Sequence, residues 1–228
     1  MTHLVLFDID GTLLSAKGAG SRALSKTVEA IWSVEVDISS LHLDGKTDPL
    51  IVREALELVN AEHVFNGKFD ETFLTLYEGF LIQELKALRH FKILDGVVSL
   101  LDTLKERDDV LLGIATGNVA VGAKRKLEMA KLDHYFSLGG YGSDASSRTD
   151  IIRKAIKRGR EVNGHPLGET IVIGDTPRDI RSGQEAGTKT VGVATGRFTL
   201  KELRSHSPTK ALNSLRPNLE IIRFLDEL

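Results

Sequence analysis

The sequence predicts an α/β fold in which a parallel sheet with crossover helices is interrupted once by an all-helical segment. Three observations lead there. Short apolar runs alternate with helical patterns along most of the chain, the mark of strand–helix–strand units. Three of those runs stop abruptly at acids, hydroxyls or glycine. The stretch 16–91, by contrast, holds amphipathic helical windows and no convincing strand.

The first run, Leu4 to Phe7, is a buried-strand pattern that ends at two carboxylates, Asp8 and Asp10, followed by Gly11 and Thr12. Acids this close repel, and they are costly to bury unless a cation or hydrogen bonds compensate them. Open α/β sheets gather ligands outside the carboxyl ends of their strands, where this pair would sit. The segment reads as a metal-assisted reaction site.

The next runs are Val110 to Ala115, Thr170 to Ile173 and a shorter one at Thr190 to Val193, with a weaker strand near Phe136 to Gly139. Helix starts fall between them. Asn118 is placed to cap a helix through about Ala130. Thr149 opens another, with Ile151, Ile152, Ala155 and Ile156 on one face. Thr176 caps a third with Pro177 at its first position, and Gly187 closes it. Within 16–91, one helix follows Asp48 and Pro49 to about Val59, and another spans about Asp70 to Leu88. Gly18 and Gly20 on one side, and Leu94-Asp95-Gly96 on the other, would connect this insertion to a core of residues 1–15 and 92–228.

Composition narrows the function. The 228 residues are 41% hydrophobic and 27% charged, with a formal net charge of -2. That balance points to neither nucleic acid nor an anionic membrane as partner. No cysteine is present, which removes disulfides, thiol nucleophiles and cysteine-bound zinc. The amino-terminal apolar run reaches acids too soon for a signal peptide or a membrane span, so a cytoplasmic protein is expected.

In a parallel sheet the strand ends converge. Ile114-Ala115 runs into Thr116-Gly117-Asn118, Arg148 follows a polar loop, and Ile173-Gly174 runs into Asp175-Thr176-Pro177-Arg178-Asp179. Acids, hydroxyls and one guanidinium at a single edge suit phosphoryl transfer, where a cation and fixed donors hold a charged in-line transition state. The order and spacing of Asp8-Ile9-Asp10-Gly11-Thr12, Thr116, a basic residue and the Gly174–Asp179 segment resemble the haloacid dehalogenase-like hydrolases. Among these the chain looks most like the phosphoglycolate-phosphatase-like branch, over essentially its whole length.

The resemblance implies a doubly wound, Rossmann-like sheet of about five strands in the order 5-4-1-2-3, with residues 16–91 as a helical cap. It implies Mg²⁺-dependent hydrolysis of a small phosphorylated metabolite. Asp8 would be the nucleophile and form an aspartyl-phosphate. Asp10 would protonate the leaving oxygen and then activate water, which requires the two acids to titrate apart. Gly11, Thr12, Thr116, Gly117, Asn118 and Arg148 would bind the phosphoryl group. Mg²⁺ would be held by Asp8, the Asp10 backbone carbonyl and Asp175, with Asp179 orienting its waters. Lys46 would reach the substrate from the cap.

Two features depart from the family pattern. Its third motif is most often a lysine, and here Arg148 is the best-placed basic residue, ahead of Lys124, Arg153 and Lys154. The first motif continues as Leu13-Leu14-Ser15, where many relatives carry an acid.

Blander readings of these motifs lack support. Asp10-Gly11 is no hairpin turn, since no matching strand follows, and a calcium loop would need its glycine later and flanking helices. Gly45-Lys46-Thr47 ends like a nucleotide-binding loop, but Ser40 stands where that motif needs glycine; a loop facing the substrate or a turn leading into a helix fits better. Arg153, Lys154, Lys157, Arg158 and Arg160 form a solvated helix face. The seven histidines show no metal spacing. A phosphomutase would share the Asp8 chemistry but needs a second acid–base group in the cap. A phosphorylated receiver-type module would lack the insertion and place its reactive acid after a later strand.

Overall fold

The computed structural model describes residues 1–216 and 219–228. Its centre is β1 (His3–Phe7), where Leu4, Val5, Leu6 and Phe7 are all fully buried. Four consecutive apolar residues cannot face water on either side, which is why the strand lies inside a sheet covered on both faces. Burial of each such side chain stabilises the fold by roughly 1.5–3 kcal/mol.

In chain order, β2 (Leu14–Ser15) follows β1, then α1 (Ala19–Trp32), α2 (Asp48–Leu58) and α3 (Glu71–Ala87), then β3 (Lys92–Ile93). The remainder alternates: α4 (Val97–Lys105), β4 (Val110–Ala115), α5 (Ala120–Ala130), β5 (Leu138–Gly140), α6 (Arg148–Asn163), β6 (Thr170–Gly174), α7 (Pro177–Glu185), β7 (Lys189–Val193), α8 (Leu200–Arg204), β8 (Lys210–Leu212) and α9 (Leu219–Asp226).

The main sheet is parallel, with spatial order β5-β4-β1-β6-β7-β8. For the five strands expected from the sequence, that is the order 5-4-1-2-3, with β8 added outside β7. The odd and even positions of β1 pack into separate cores. Val5 and Phe7 join Ile114, Ile171 and Ile173 on one face, and Leu4 and Leu6 join Ala115, Ile152 and Val172 on the other. Helices therefore cover both faces, as in doubly wound folds.

The helical segment leaves the core through a narrow neck. β2 and β3 pair antiparallel, Leu14 opposite Ile93 and Ser15 opposite Lys92. Between them α1 packs against α3, and Tyr77, Phe73 and Leu81 of α3 are buried. Phe69 stacks on Phe73 at 3.9 Å between ring centres, and Trp32 closes the same cluster.

Local start signals explain most helix boundaries. Asp70 accepts the Phe73 N–H at the start of α3, and Thr176 and Asp179 form a reciprocal capping box at the start of α7. Three expected caps move. α2 is capped by Thr47, whose hydroxyl accepts the Leu50 N–H, so Asp48 is its first helical residue. α6 is capped by Ser147 and begins at Arg148, ahead of Thr149. Asn118 does not cap α5; Val119 occupies the cap position, and the Asn118 amide is drawn into a polar network instead. Among the described residues, no helix is long and apolar enough to cross a membrane.

Candidate active site

β4, β1 and β6 are adjacent and in register, Phe7 lying beside Ile114 and Ile173. The residues that follow their last turns therefore emerge at one edge: Asp8 after β1, Thr116 after β4 and Asp175 after β6. Residues separated by more than a hundred positions become neighbours because parallel strands point their carboxyl ends the same way. Asp8 and Asp175 line a cavity of about 220 Å³, together with Asp10, Lys46, Asn118 and Arg148.

Asp8, Asp175 and Asp179 each offer a carboxylate oxygen, and the three lie within 4.8 Å of one another. All three residues are buried. Burial pushes the Asp8 carboxyl up; Arg148 pulls it back and Asp179 and Asp10 push it further, leaving it near about 6. Asp175 is raised well above the carboxylate range by burial and by Asp179 and Asp8, against one hydrogen bond from Thr12. A set of acids held this close in a dry pocket is built around positive charge. Arg148 supplies one charge, its Nη2 lying 2.8 Å from Asp8 Oδ1 and 2.5 Å from Asp179 Oδ1. Burial opposes the Arg148 charge, but Asp179 and Asp8 more than offset it and hold the guanidinium firmly protonated. One guanidinium against three buried acids leaves the donor set suited to an added hard divalent cation with oxygen ligands.

Asp179 is also fully engaged on its other oxygen, which accepts from the Thr176 N–H at 3.0 Å and from the Thr176 hydroxyl at 2.7 Å. It is thus fixed by its own helix start. The Asp10 side chain, in contrast, turns away from the three acids. Its Oδ2 accepts from Asn118 Nδ2 at 2.9 Å and from Lys126 Nζ at 2.5 Å, and it remains 41% exposed. The two acids of the first motif therefore stand in different environments, as different roles require.

Gly11 and Thr12 spend their donors on building this loop. Their backbone N–H groups bond the carbonyls of Leu14 and Ile9, and the Thr12 hydroxyl donates to Asp175 Oδ1 at 3.1 Å. Gly11 has φ +86°, and a Cβ there would come within 2.4 Å of the Asp175 carboxylate. Thr116 is fully buried, and its Oγ accepts from both the N–H and the side-chain amide of Asn118. Two accepted bonds leave the hydroxyl proton free to donate.

The helical segment closes the site from above. Asp48 donates its N–H to the Gly117 carbonyl at 2.9 Å, and its carboxylate accepts the Val119 N–H at 2.8 Å. A Cβ on Gly117 would meet the Lys46 carbonyl at 2.0 Å, so Gly117 makes room for this approach. Lys46, in the turn before α2, lines the cavity, with its ammonium paired to Glu54 of α2. Arg197 reaches Asp44 at 3.2 Å, and Arg125 of α5 reaches Glu78 of α3 at 2.6 Å.

The alternatives to Arg148 lie elsewhere. Lys124 pairs with Glu128 and Arg153 with Asp150, both with exposed side chains, and Lys154 is exposed. Arg158 departs from the solvated face expected of it, since its guanidinium clamps Asp144 and the Gly139 carbonyl behind β5. Two residues escape notice in the sequence. Asp48 reads there only as a helix start. Lys126 sits in the run Lys124-Arg125-Lys126, yet it is 4% exposed and falls on the buried stripe of α5 with Ala123, Leu127 and Ala130. A lysine on an apolar helical period was the available signal.

Comparison with known proteins agrees with this geometry. Residues 5–193 match the family described as haloacid dehalogenase-like hydrolase. The chain is 25% identical to the phosphoglycolate phosphatase of Aquifex aeolicus, over 98% of its own length and 97% of the relative's. It is 29% identical to pyrophosphatase PpaX of Bacillus mycoides, over 96% of each. Its structure is similar to that of a predicted phosphatase from Clostridium acetobutylicum, with a TM-score of 0.67 and 26% identity over 100% of both chains. A β-phosphoglucomutase from Clostridium difficile shares the fold, with a TM-score of 0.70 at 18% identity over 100% of this chain and 99% of that one. With the acids, the buried guanidinium and the strand-end hydroxyl all at one sheet edge, the chain belongs to the haloacid dehalogenase-like hydrolases.

Proposed function

We propose that the protein is a Mg²⁺-dependent phosphatase of small phosphomonoesters that works through an aspartyl-phosphate on Asp8. The observation that carries this reading is the buried Asp8 carboxylate, clamped by Arg148 beside Asp175 and Asp179 on the floor of the cavity that Asp10 also lines. The relatives named as phosphatases and a pyrophosphatase support the same reaction class.

Each residue then has a physical task. The Asp8 oxygen attacks phosphorus in line, forming an O–P bond as the ester P–O bond breaks. Arg148, held between Asp8 and Asp179, sets the direction of that carboxylate and offsets charge on the phosphoryl oxygens. Thr116 donates its free hydroxyl proton to the same group. Asp10 gives its proton to the departing alkoxide and later takes one from the water that cleaves the aspartyl-phosphate, which restores Asp8. Asp8, the Asp10 carbonyl and Asp175 would hold the ion, and Asp179 would orient its ligands. Mg²⁺, when bound, would supply charge neutralisation for the acids and the phosphoryl oxygens.

Cavity size supports a small substrate. About 220 Å³ lies below the usual range for drug-sized ligands, roughly 300–1,000 Å³. The helical segment acts as a cap that excludes bulk water from the reacting groups, and Lys46 meets the substrate from that side once it leaves Glu54. The test is phosphate release from a broad phosphomonoester panel with and without Mg²⁺. Release that needs Mg²⁺ and disappears in Asp8→Asn is expected. No release by the wild type, or equal release by the variant, sinks the reading, and a rearranged sugar phosphate as product would mark a mutase.

A further inference from the structure

Lys126 is a buried cation that the chemistry above does not use. It projects from α5 between two polar side chains and is itself 5% exposed. Its Nζ lies 2.5 Å from Asp10 Oδ2 and 2.6 Å from Asn118 Oδ1. The Asn118 amide completes the ring by donating to Asp10 Oδ2 at 2.9 Å and to Thr116 Oγ at 2.9 Å. One face of this ring touches the proposed acid–base residue, and the other touches the hydroxyl proposed to donate to the phosphoryl group.

Ordering a lysine inside a protein costs side-chain entropy and the hydration of its ammonium. An ion pair at the surface contributes too little to offset either. The structural need of α5 at this position would be met by a leucine or methionine, as its neighbours Ala123 and Leu127 show. The placement makes sense for what it does to Asp10. That side chain is 41% exposed and stands immediately before the turn at residues 11–13. Lys126 and Asn118 together fix Oδ2 from two directions. Among the described residues, Oδ1 is left as the oxygen without a hydrogen-bond partner.

We propose that Lys126 is a positioning residue for acid–base catalysis. It clamps one oxygen of Asp10 against Asn118, so that the other is presented to the leaving group and, later, to the attacking water. Asn118 is part of the same clamp and couples its geometry to Thr116. The inference rests on the phosphatase reading and assigns a function to a residue outside the four family motifs.

A leaving-group series separates this role from a merely structural one. kcat/KM is measured with Mg²⁺ across substituted phenyl phosphates whose phenolates range from weakly to strongly basic. Basic leaving groups need Asp10's proton; activated ones do not. In Lys126→Met the loss grows along the series, reaching about a hundredfold at the basic end and at least about tenfold less at the activated end. Asp10→Asn shows the same trend, and Lys126→Arg, which can still donate to Asp10, recovers part of the loss. A crystal structure of Lys126→Met shows the Asp10 carboxylate displaced from Asn118. A uniform loss along the series, no loss, or an unmoved Asp10 overturns the proposal while leaving the phosphatase reading intact. A wild type inactive on every member fails that reading, and the proposal falls with it.

Discussion

The carboxylate of Asp48 accepts the backbone N–H of Val119 at 2.8 Å, and the bond crosses from the helical segment to the core. Val119 is the cap position of α5 and has no side-chain acceptor of its own. Asp48 therefore caps a helix in trans. The same residue gives its N–H to Gly117, so its backbone and its side chain both fasten the insertion over the Thr116-Gly117-Asn118 loop.

Asp48 should be separable into an acceptor and a charge. Burial raises its carboxyl, Lys126 and the Val119 N–H lower it, and Asp10 raises it, leaving it near about 6. Because the folded value exceeds the ordinary 3.8, the stability this proton confers is complete below about pH 4 and lost as pH rises through about 6. Asp48→Asn keeps an acceptor without the charge and is expected to match or exceed wild-type stability at pH 7, the difference closing toward pH 4. Asp48→Ala bares the Val119 N–H and should fall about 1–2 kcal/mol below the asparagine variant. Urea unfolding at the two pH values checks both, and equal stability of Asn and Ala variants would refute the capping role.

Asp8 should trade stability for chemistry in the same way. Its folded value of about 6 against 3.8 corresponds to on the order of 3 kcal/mol that the metal-free protein has at pH 4 and lacks at pH 7. In chelator at pH 7, Asp8→Asn is expected to be the more stable protein, with the gap shrinking toward pH 4. Added Mg²⁺ should stabilise the wild type more than the variant. Its calorimetric affinity should rise with pH up to about 6 and then level off, with proton release on binding in the lower range. Affinity independent of pH between 5 and 7 would remove the link between this acid and the ion.

How much of this was legible in the sequence depends on the range over which each signal acts. β1, β4 and β6 are mainly apolar runs with polar endings, β7 a shorter one, and burial on both sheet faces writes itself into consecutive residues. Thr176 and Pro177 announce α7 because a helix start is a contract among four neighbouring residues. β8 is three residues long and half-buried, too short for a period to form. Asn118 misled as a cap because the rule sees only the next turn, whereas its amide answers to Asp10, which is 108 positions away. Asp48 acts across the interface between insertion and core, Lys126 meets Asp10 at a distance of 116 positions, and nothing local records either partner. The convergence of Asp8, Thr116 and Asp175 was legible because a parallel sheet turns separation in sequence into adjacency by rule.

Among the described residues, Arg148 is the one basic group paired with Asp8 and Asp179, and its own Nε is buried without a hydrogen-bond partner. Arg148→Ala leaves the three acids with no guanidinium and is expected to cost about 3–5 kcal/mol in chelator. Part should return with Mg²⁺, because the ion neutralises the same carboxylates. Arg148→Lys keeps the charge but not two N–H groups in one plane, so it should fold and lose activity by roughly ten- to a hundredfold. Full activity in the lysine variant would show that fork geometry is irrelevant here.

Gly117 tests whether the insertion must sit down on the core for turnover. The residue is not in a left-handed conformation, so the constraint is contact alone. A Cβ would lie 2.0 Å from the Lys46 carbonyl and 3.2 Å from Thr47 Cα, and both are backbone that cannot swing aside. Gly117→Ala must therefore lift the 45–48 turn by an ångström or more and stretch the Asp48–Gly117 and Asp48–Val119 bonds. The core strands do not depend on that turn, so global unfolding should change by only about 1–2 kcal/mol. Amide exchange of residues 45–50 and of Val119 should accelerate, and kcat/KM on phosphomonoesters should drop by roughly tenfold or more, because a displaced cap admits water and misplaces Lys46. Gly79 of α3, around which a Cβ meets nothing within 4 Å, is the matched control. Alanine there should gain up to about 1 kcal/mol in stability and leave turnover alone. If Gly117→Ala and Gly79→Ala turn over substrate equally well, closure of the helical segment on this loop is not needed for the reaction.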